Sequence, residues 1–315
     1  MNRSIEYIIT TEYSGLTIYD FLKSKNYSSQ CITTLKKTDN NACINGEWKY
    51  LNHKLKANDL LTINLIEDTI SDNIVCTPLP LNIIYEDEDI TIVNKAPNMP
   101  IHPSVNHYED TLANAIMYYY KSMNEPFTFR CINRIDRDTS GLTILAKNLI
   151  SSSILYNAIK NHKIKRTYLA FVEGSFENNY GTINSPIGRV YGSTIEREIN
   201  NESGEEAITH YKVLGYSTTH NFSLIELSLE TGRTHQIRVH MKSIGHPLLG
   251  DFLYNPSNSM LKRQALHSYS LALMHPITEE NIIFTAPLPE DMLSLLNKLD
   301  NNSILPSQEI SPSYH

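Results

Sequence analysis

The stretch Arg134-Ile135-Asp136-Arg137-Asp138-Thr139-Ser140-Gly141 places a carboxylate between two guanidinium groups and then reverses the chain direction. A carboxylate can serve as nucleophile or base, and guanidinium neighbours favour its charged form. Two plainer readings compete. Aspartate is a good turn residue and could simply serve the bend before Thr139-Ser140-Gly141. Asp136-Arg137-Asp138 also imitates the Asp-x-Asp nucleophile of haloacid-dehalogenase-type phosphatases. That chemistry needs Mg²⁺ and a first aspartate at the end of a buried parallel strand, yet Cys131-Ile132-Asn133-Arg134-Ile135 makes a poor buried strand and no strand–helix alternation follows.

Working outward, Thr231-Gly232-Arg233-Thr234-His235-Gln236-Ile237-Arg238-Val239-His240 lies about a hundred residues downstream. Between and beyond these stand Lys165-Arg166-Thr167-Tyr168-Leu169-Ala170-Phe171-Val172-Glu173-Gly174, Gly245-His246-Pro247-Leu248-Leu249-Gly250-Asp251, Gln264-Ala265-Leu266-His267, Leu273-Met274-His275-Pro276 and Phe284-Thr285-Ala286-Pro287-Leu288-Pro289. Taken together and in this order, the blocks resemble the signature of the RluA/RluD-type RNA pseudouridine synthases. Ordered blocks carry far more weight than one short motif.

The resemblance implies a reaction and assigns residues to it. Pseudouridine formation detaches uracil from ribose at nitrogen, turns the base and rejoins it through carbon. This isomerisation requires neither redox cofactor nor nucleotide, so no cofactor is expected. Asp136 matches the catalytic aspartate, with attack on the anomeric carbon, addition to the ring and removal of a ribose proton all open to it. Arg238 matches the arginine that pairs with that aspartate, and its planar fork suits a carboxylate better than lysine would. Tyr168 matches the active-site tyrosine, whose ring can stack on the freed uracil and whose hydroxyl can accept or relay the proton leaving ring carbon 5. Arg134 matches the residue that fills the space left by the flipped base. Ile237 is expected as an apolar wall of the uracil pocket, and Arg233 as a phosphate contact or structural pair. Asn94-Lys95-Ala96-Pro97-Asn98 resembles the entry motif with its proline and glycine order altered, and Lys95 is expected to approach a substrate phosphate or to lie on the surface. Asn133 stands where many relatives have histidine, and reads as tuning of RNA contacts. Glu205 and Glu206 replace a common basic residue, which puts one phosphate contact in doubt.

Global charge points the other way, since a net −7 is the opposite of the usual nucleic-acid footprint. Screening confines each field to about 8 Å at physiological salt, so local charge decides. Arginines 130, 134, 137, 166, 233 and 238 fall in or beside the motif blocks, and if they converge the cleft is basic on an acidic protein. Cys31, Cys43, Cys76 and Cys131 have no metal-ligand or redox spacing and are expected as reduced, packed thiols, and no metal site is expected. No apolar run approaches the ~20 residues needed to cross a bilayer, and Met1-Asn2-Arg3-Ser4-Ile5-Glu6 lacks the apolar core of a signal peptide. A cytoplasmic monomer without membrane contact is expected. Its partner would be RNA, ribosomal before transfer RNA. A non-catalytic RNA-binding or ribosome-assembly protein on the same fold is the alternative.

A length of 315 residues, 41% of them hydrophobic, suits two domains. Residues 1–71 are expected as a small S4-like α+β RNA-binding domain, with helices around Thr17–Leu22 and Ile32–Lys37 and a turn at Asn45-Gly46 between strands Ala42–Ile44 and Lys49–Leu51. Residues 72–82 form the linker, 83–300 the catalytic domain and 301–315 a mobile tail. Strands are expected at Ile83–Tyr85, Ile90–Val93, Gly141–Ala146, Thr167–Val172, Ile208–Val213 and Ser223–Leu227, with a helix from Leu149 to Lys160. The fold class that follows is α+β, a pseudouridine synthase catalytic domain on a largely antiparallel or mixed sheet.

Overall fold

In the computed structural model, residues 2–67, 71 and 73–300 are described; the expected tail, 301–315, lies outside them. One sheet dominates. Its strands run in the spatial order Ile83–Glu86, Ile90–Lys95, Ser140–Ala146, Leu266–Met274, Lys165–Glu173, Phe222–Leu229, Ile208–Ser217 and Tyr180–Asn184, with Asn281–Thr285 added beside Leu266–Met274. All pairings are antiparallel except that of Ser140–Ala146 with Leu266–Met274, through His267↔Ser140 and Ser268↔Gly141. The mixed sheet of the expected α+β class is thus present. The parallel junction is tight, because a Cβ on Gly141 would lie 2.2 Å from the Ser268 carbonyl oxygen, and its φ of +106° suits only glycine.

The helix Leu149–Lys160 begins with Asn148, whose side chain accepts from the Ser151 amide. Helix Leu112–Ser122 is closed by a capping box from Thr111 and Asn114, and buries Leu112, Ile116, Met117 and Tyr120 against the sheet. Its tyrosine-rich sequence did not announce it.

The N-terminal unit is a four-stranded antiparallel sheet, Asn2–Ile8, Leu60–Ile66, Ala42–Ile44 and Glu47–Trp48, covered by helices Ile18–Ser24 and Ser29–Leu35. Asn45 and Gly46 both have positive φ, +51° and +86°, which closes a two-residue hairpin. That turn sets Ile44 opposite Glu47, so the second strand begins two residues before the expected Lys49. The strand Asn2–Ile8 was not expected either, since only Ile5 of it is buried.

This unit is seated on the larger one. Arg3 donates to buried Asp89 through Nε and Nη2 at 3.0 and 2.7 Å, and Asp89 also accepts from Asn148 and Ser151. Glu67 takes Arg130 Nη2 at 2.5 Å and the Leu149 amide at 3.0 Å. Ile150, from the helix of the larger unit, packs inside the N-terminal core. Among the described residues no helix is long and apolar enough to cross a membrane.

Candidate active site

Two irregular segments meet over one face of the large sheet and enclose a cleft of about 920 Å³. The first, Cys131 to Thr139, is anchored at both ends. At its start Asn133 is buried, donating to the Leu142 carbonyl and accepting from the Ile144 amide at 2.7 Å. Its amide is therefore occupied in holding the loop, and the expected tuning of RNA contacts does not fit a side chain so placed. At the loop's far end Ser140 Oγ bonds His267 Nδ1 at 2.9 Å, and Arg263 donates to the Asp138 carbonyl. Asp138 is engaged by Arg137 at 2.9 and 3.1 Å.

Lys95 corrects both expectations for it. It is fully buried, and its Nζ donates to the carbonyls of Ala96 and Arg137 at 2.7 and 2.9 Å. It clamps the loop from beneath and does not reach the cleft surface. Burial pushes its pKa down to about 7 against the pull of Asp138 and Asp136. Nearby, Asn98 takes φ +57°, so the turn of the altered entry motif survives without glycine.

The second segment enters the helix Gln236–Ser243 through His235 in left-handed conformation, φ +58°. Gln236 makes that entry possible. Its Oε1 accepts from the Thr231 hydroxyl and the Arg233 amide, while its Nε2 donates to the Ile208 carbonyl and the Thr209 hydroxyl. One turn of helix then carries Arg238 inward, where it is 3% exposed.

Arg238 Nη1 donates to Asp136 at 3.1 Å, while Nε and Nη2 bind Asp251 at 2.7 and 2.8 Å. Asp251 is wholly buried and also accepts from the amides of Leu253 and Tyr254. Burial works against the Arg238 charge, but Asp251 and Asp136 together push its pKa above the ordinary arginine value. Asp136 itself is partly open to the cleft. Its carboxylate meets Arg238, and the turn is closed by its backbone carbonyl, which accepts from the Thr139 amide.

Tyr168, on the strand Lys165–Glu173, lines the cleft at 5% exposure, and Ile237 at 4%. Burial pushes the Tyr168 phenol above the usual range, with the Arg166 charge pulling the other way. Arg134 is exposed at the mouth and forms no hydrogen bond or ion pair with the described residues. Arg233 lies on the rim, paired with Glu205 and donating to the Glu206 carbonyl at 2.9 Å. Of the six arginines expected to converge, 134, 137, 166, 233 and 238 line the cleft; Arg130 turns away to Glu67. With Lys160 they set six cations against Asp136, Glu206 and Glu230, which makes the cleft basic on a chain of net charge −7.

Two site residues carried no role in the sequence reading. Asp251 is the second carboxylate on Arg238. His235 has Nε2 3.9 Å from Asp136 and shares a hydrogen bond with the Tyr254 hydroxyl; burial lowers its pKa, so it is neutral at pH 7. Among the described residues, the group with metal-ligand spacing is Asp87, Asp89 and His275, which does not line the cleft and whose members already bond to one another and to Arg3.

Comparison with known proteins gives the family of the chain. A family model described as RNA pseudouridylate synthase matches residues 89–243. The uncharacterized RNA pseudouridine synthase YjbO of Bacillus subtilis is 40% identical over 281 residues, covering 89% of this chain and 98% of the relative. The ribosomal large subunit pseudouridine synthase D of Blochmanniella floridana is 39% identical over 243 residues, 72% of this chain and 75% of that one. Among solved structures, human RNA pseudouridylate synthase domain containing 1 superposes with a TM-score of 0.60 at 27% identity, covering 73% of this chain and 91% of its own. A motif set that converges on one basic cleft, and relatives matched over most of their length, lead to one conclusion: the chain belongs to the RluA/RluD-type RNA pseudouridine synthases and is an RNA-modifying isomerase.

Proposed function

We propose that this enzyme converts specific uridines in structured large-subunit ribosomal RNA to pseudouridine, with Asp136 as the catalytic group on a flipped-out base. The observation that carries the reading is the Asp136–Arg238–Asp251 arrangement at the floor of the cleft. One carboxylate is buried and saturated, the other faces the space where a base would enter, and a single guanidinium held by the first bridges to the second.

The roles of the remaining residues follow from their surroundings. Tyr168 and Ile237 offer a ring and an apolar wall to a planar base. A phenol with a raised pKa is protonated at neutral pH, so Tyr168 acts on the carbon 5 proton by relay, taking it up as it passes its own proton to water in the open cleft. Arg134 is unencumbered at the mouth and long enough to occupy the gap in the stack. This offsets the few kcal/mol that unstacking costs. Ribosomal RNA is supported by the name and identity of the Blochmanniella relative, and such a substrate puts the work in the cytoplasm. Residues 1–71 act as an S4-like docking unit, a reading supported by two helices on an antiparallel sheet and by exposed Lys36 and Lys37 after the second helix.

The test is release of tritium into water from large-subunit ribosomal RNA labelled at uridine carbon 5. Label should appear with each turnover, without added nucleotide and undiminished by chelator. RNA that binds but keeps its label would exclude the reaction.

A further inference from the structure

Among the described residues, Arg166 is the one arginine of the cleft wall whose charge is buried and has no carboxylate against it. The side chain is 8% exposed, lines the cleft, and stands two residues before Tyr168 on the same strand, hence on the same face. Its Nη2 donates to the Thr231 carbonyl at 3.1 Å. Among the described residues its buried Nε has no hydrogen-bond partner and Nη1 forms no hydrogen bond. By contrast Arg137, Arg233 and Arg238 each hold a carboxylate, and Arg134 is exposed. The seat is specific. A Cβ on Gly232 would fall 2.8 Å from Nη1, so the glycine of the Thr231-Gly232-Arg233 segment leaves the room in which the guanidinium lies.

Buried charges are ordinarily paired, and buried donors ordinarily satisfied. A guanidinium that meets neither condition at the edge of a basic cleft is matched by an anion from outside the chain, and its fork fits a phosphate. We infer that Arg166 is an anion site of the cleft, binding a backbone phosphate that flanks the target uridine. The inference rests on the RNA reading above and deepens it, because it fixes where the backbone runs: past Gly232, on the Tyr168 side of Asp136. Phosphate binding there also supplies the negative charge that Arg166 lacks, at the moment the base enters.

The test uses the full chain and a transcript of large-subunit ribosomal RNA, with dissociation constants measured over about 50 to 300 mM salt, where each phosphate contact contributes roughly 0.7 to 0.9 to the slope of log affinity on log salt. Arg166→Gln should weaken binding about tenfold and flatten the slope by about one contact, with KM rising more than kcat falls. Wild-type affinity and slope would overturn the assignment. So would a collapse of kcat at wild-type affinity, which would move Arg166 to the Tyr168 chemistry. Should Arg166→Gln not fold, Arg166→Lys reads the same contact. Its affinity should differ from wild type on native RNA, and that difference should vanish when the phosphates flanking the uridine are methylphosphonates. A difference that persists, or none on either RNA, overturns the proposal. Tritium release by the wild type is scored separately, so a protein that binds through Arg166 but converts no uridine would refute the reaction and leave this site standing.

Discussion

Arg238 and Asp251 form a closed pair: the carboxylate is wholly buried and accepts Nε and Nη2 at 2.7 and 2.8 Å, leaving Nη1 as the one edge of the guanidinium turned to Asp136. The direction of Arg238 is thus set from behind. The Tyr254 ring lies 4.9 Å from its guanidinium carbon and adds a further restraint.

Asp251→Asn should therefore damage both stability and turnover although it lies outside the cleft. Four donors among the described residues converge on the Asp251 carboxylate, and an amide would turn its own N–H toward one of them. Breaking a buried pair from one side costs about 3–5 kcal/mol. Denaturant unfolding should register a loss of that order, and tritium release should fall at least about a hundredfold. Unchanged activity would detach Asp251 from the site.

Arg134→Ala removes the group proposed to occupy the vacated stack and breaks no hydrogen bond or ion pair among the described residues. Turnover should fall much more on a stable stem-loop than on unstructured RNA, where extruding the base is easier. The measurement is kcat/KM on matched substrates. Equal losses on both would argue against the flipping role.

Lys95 supplies a pH signature. Its folded pKa is lowered to about 7, whereas the unfolded chain titrates near the ordinary lysine value. Below about pH 7 both states hold the proton and the penalty of the buried charge is fully present. From there to about pH 10.5 the unfolded state binds more protons, so stability rises with pH, by at most roughly 1.4 kcal/mol per unit. Urea unfolding of the wild type against Lys95→Met should show this rise in the wild type only. The variant should also lose activity, because the Arg137 carbonyl loses a donor beneath the loop. Parallel pH profiles for the two proteins would contradict the assignment.

The junction between the units makes a similar claim. Arg3→Met leaves Asp89 buried without its guanidinium, and should lower the melting temperature by several degrees. An N-terminal unit held only by a flexible tether would show no such change.

What the sequence disclosed follows the range of the interactions involved. The strands Ile90–Lys95, Ser140–Ala146, Lys165–Glu173 and Phe222–Leu229 were legible because β-rich runs in them are bounded by turns, and helix Leu149–Lys160 matched its expected ends. Strand Leu266–Met274 sits at the centre of the sheet yet was not read. Its His267, Ser268 and Ser270 interrupt the apolar pattern, and the same His267 fastens Ser140. Lys95 was misplaced because an unpaired lysine is almost never fully buried, and nothing local reveals the two carbonyls that receive it. Asp251 went without a role for a related reason. Its task exists only once Gly250, at φ +68° with a would-be Cβ 2.3 Å from the Arg263 carbonyl oxygen, folds the segment back under Arg238.

The central claim, that Asp136 performs the chemistry while Arg238 orients it, is tested most directly by Asp136→Asn. The variant keeps the shape of the side chain and an acceptor for Arg238 Nη1 but removes the charge. Tritium release from carbon 5 of uridine in large-subunit ribosomal RNA should drop to background, and RNA affinity should stay within about threefold of wild type, since the phosphate contacts are untouched. Release at the wild-type rate from the Asp136→Asn protein would contradict the account.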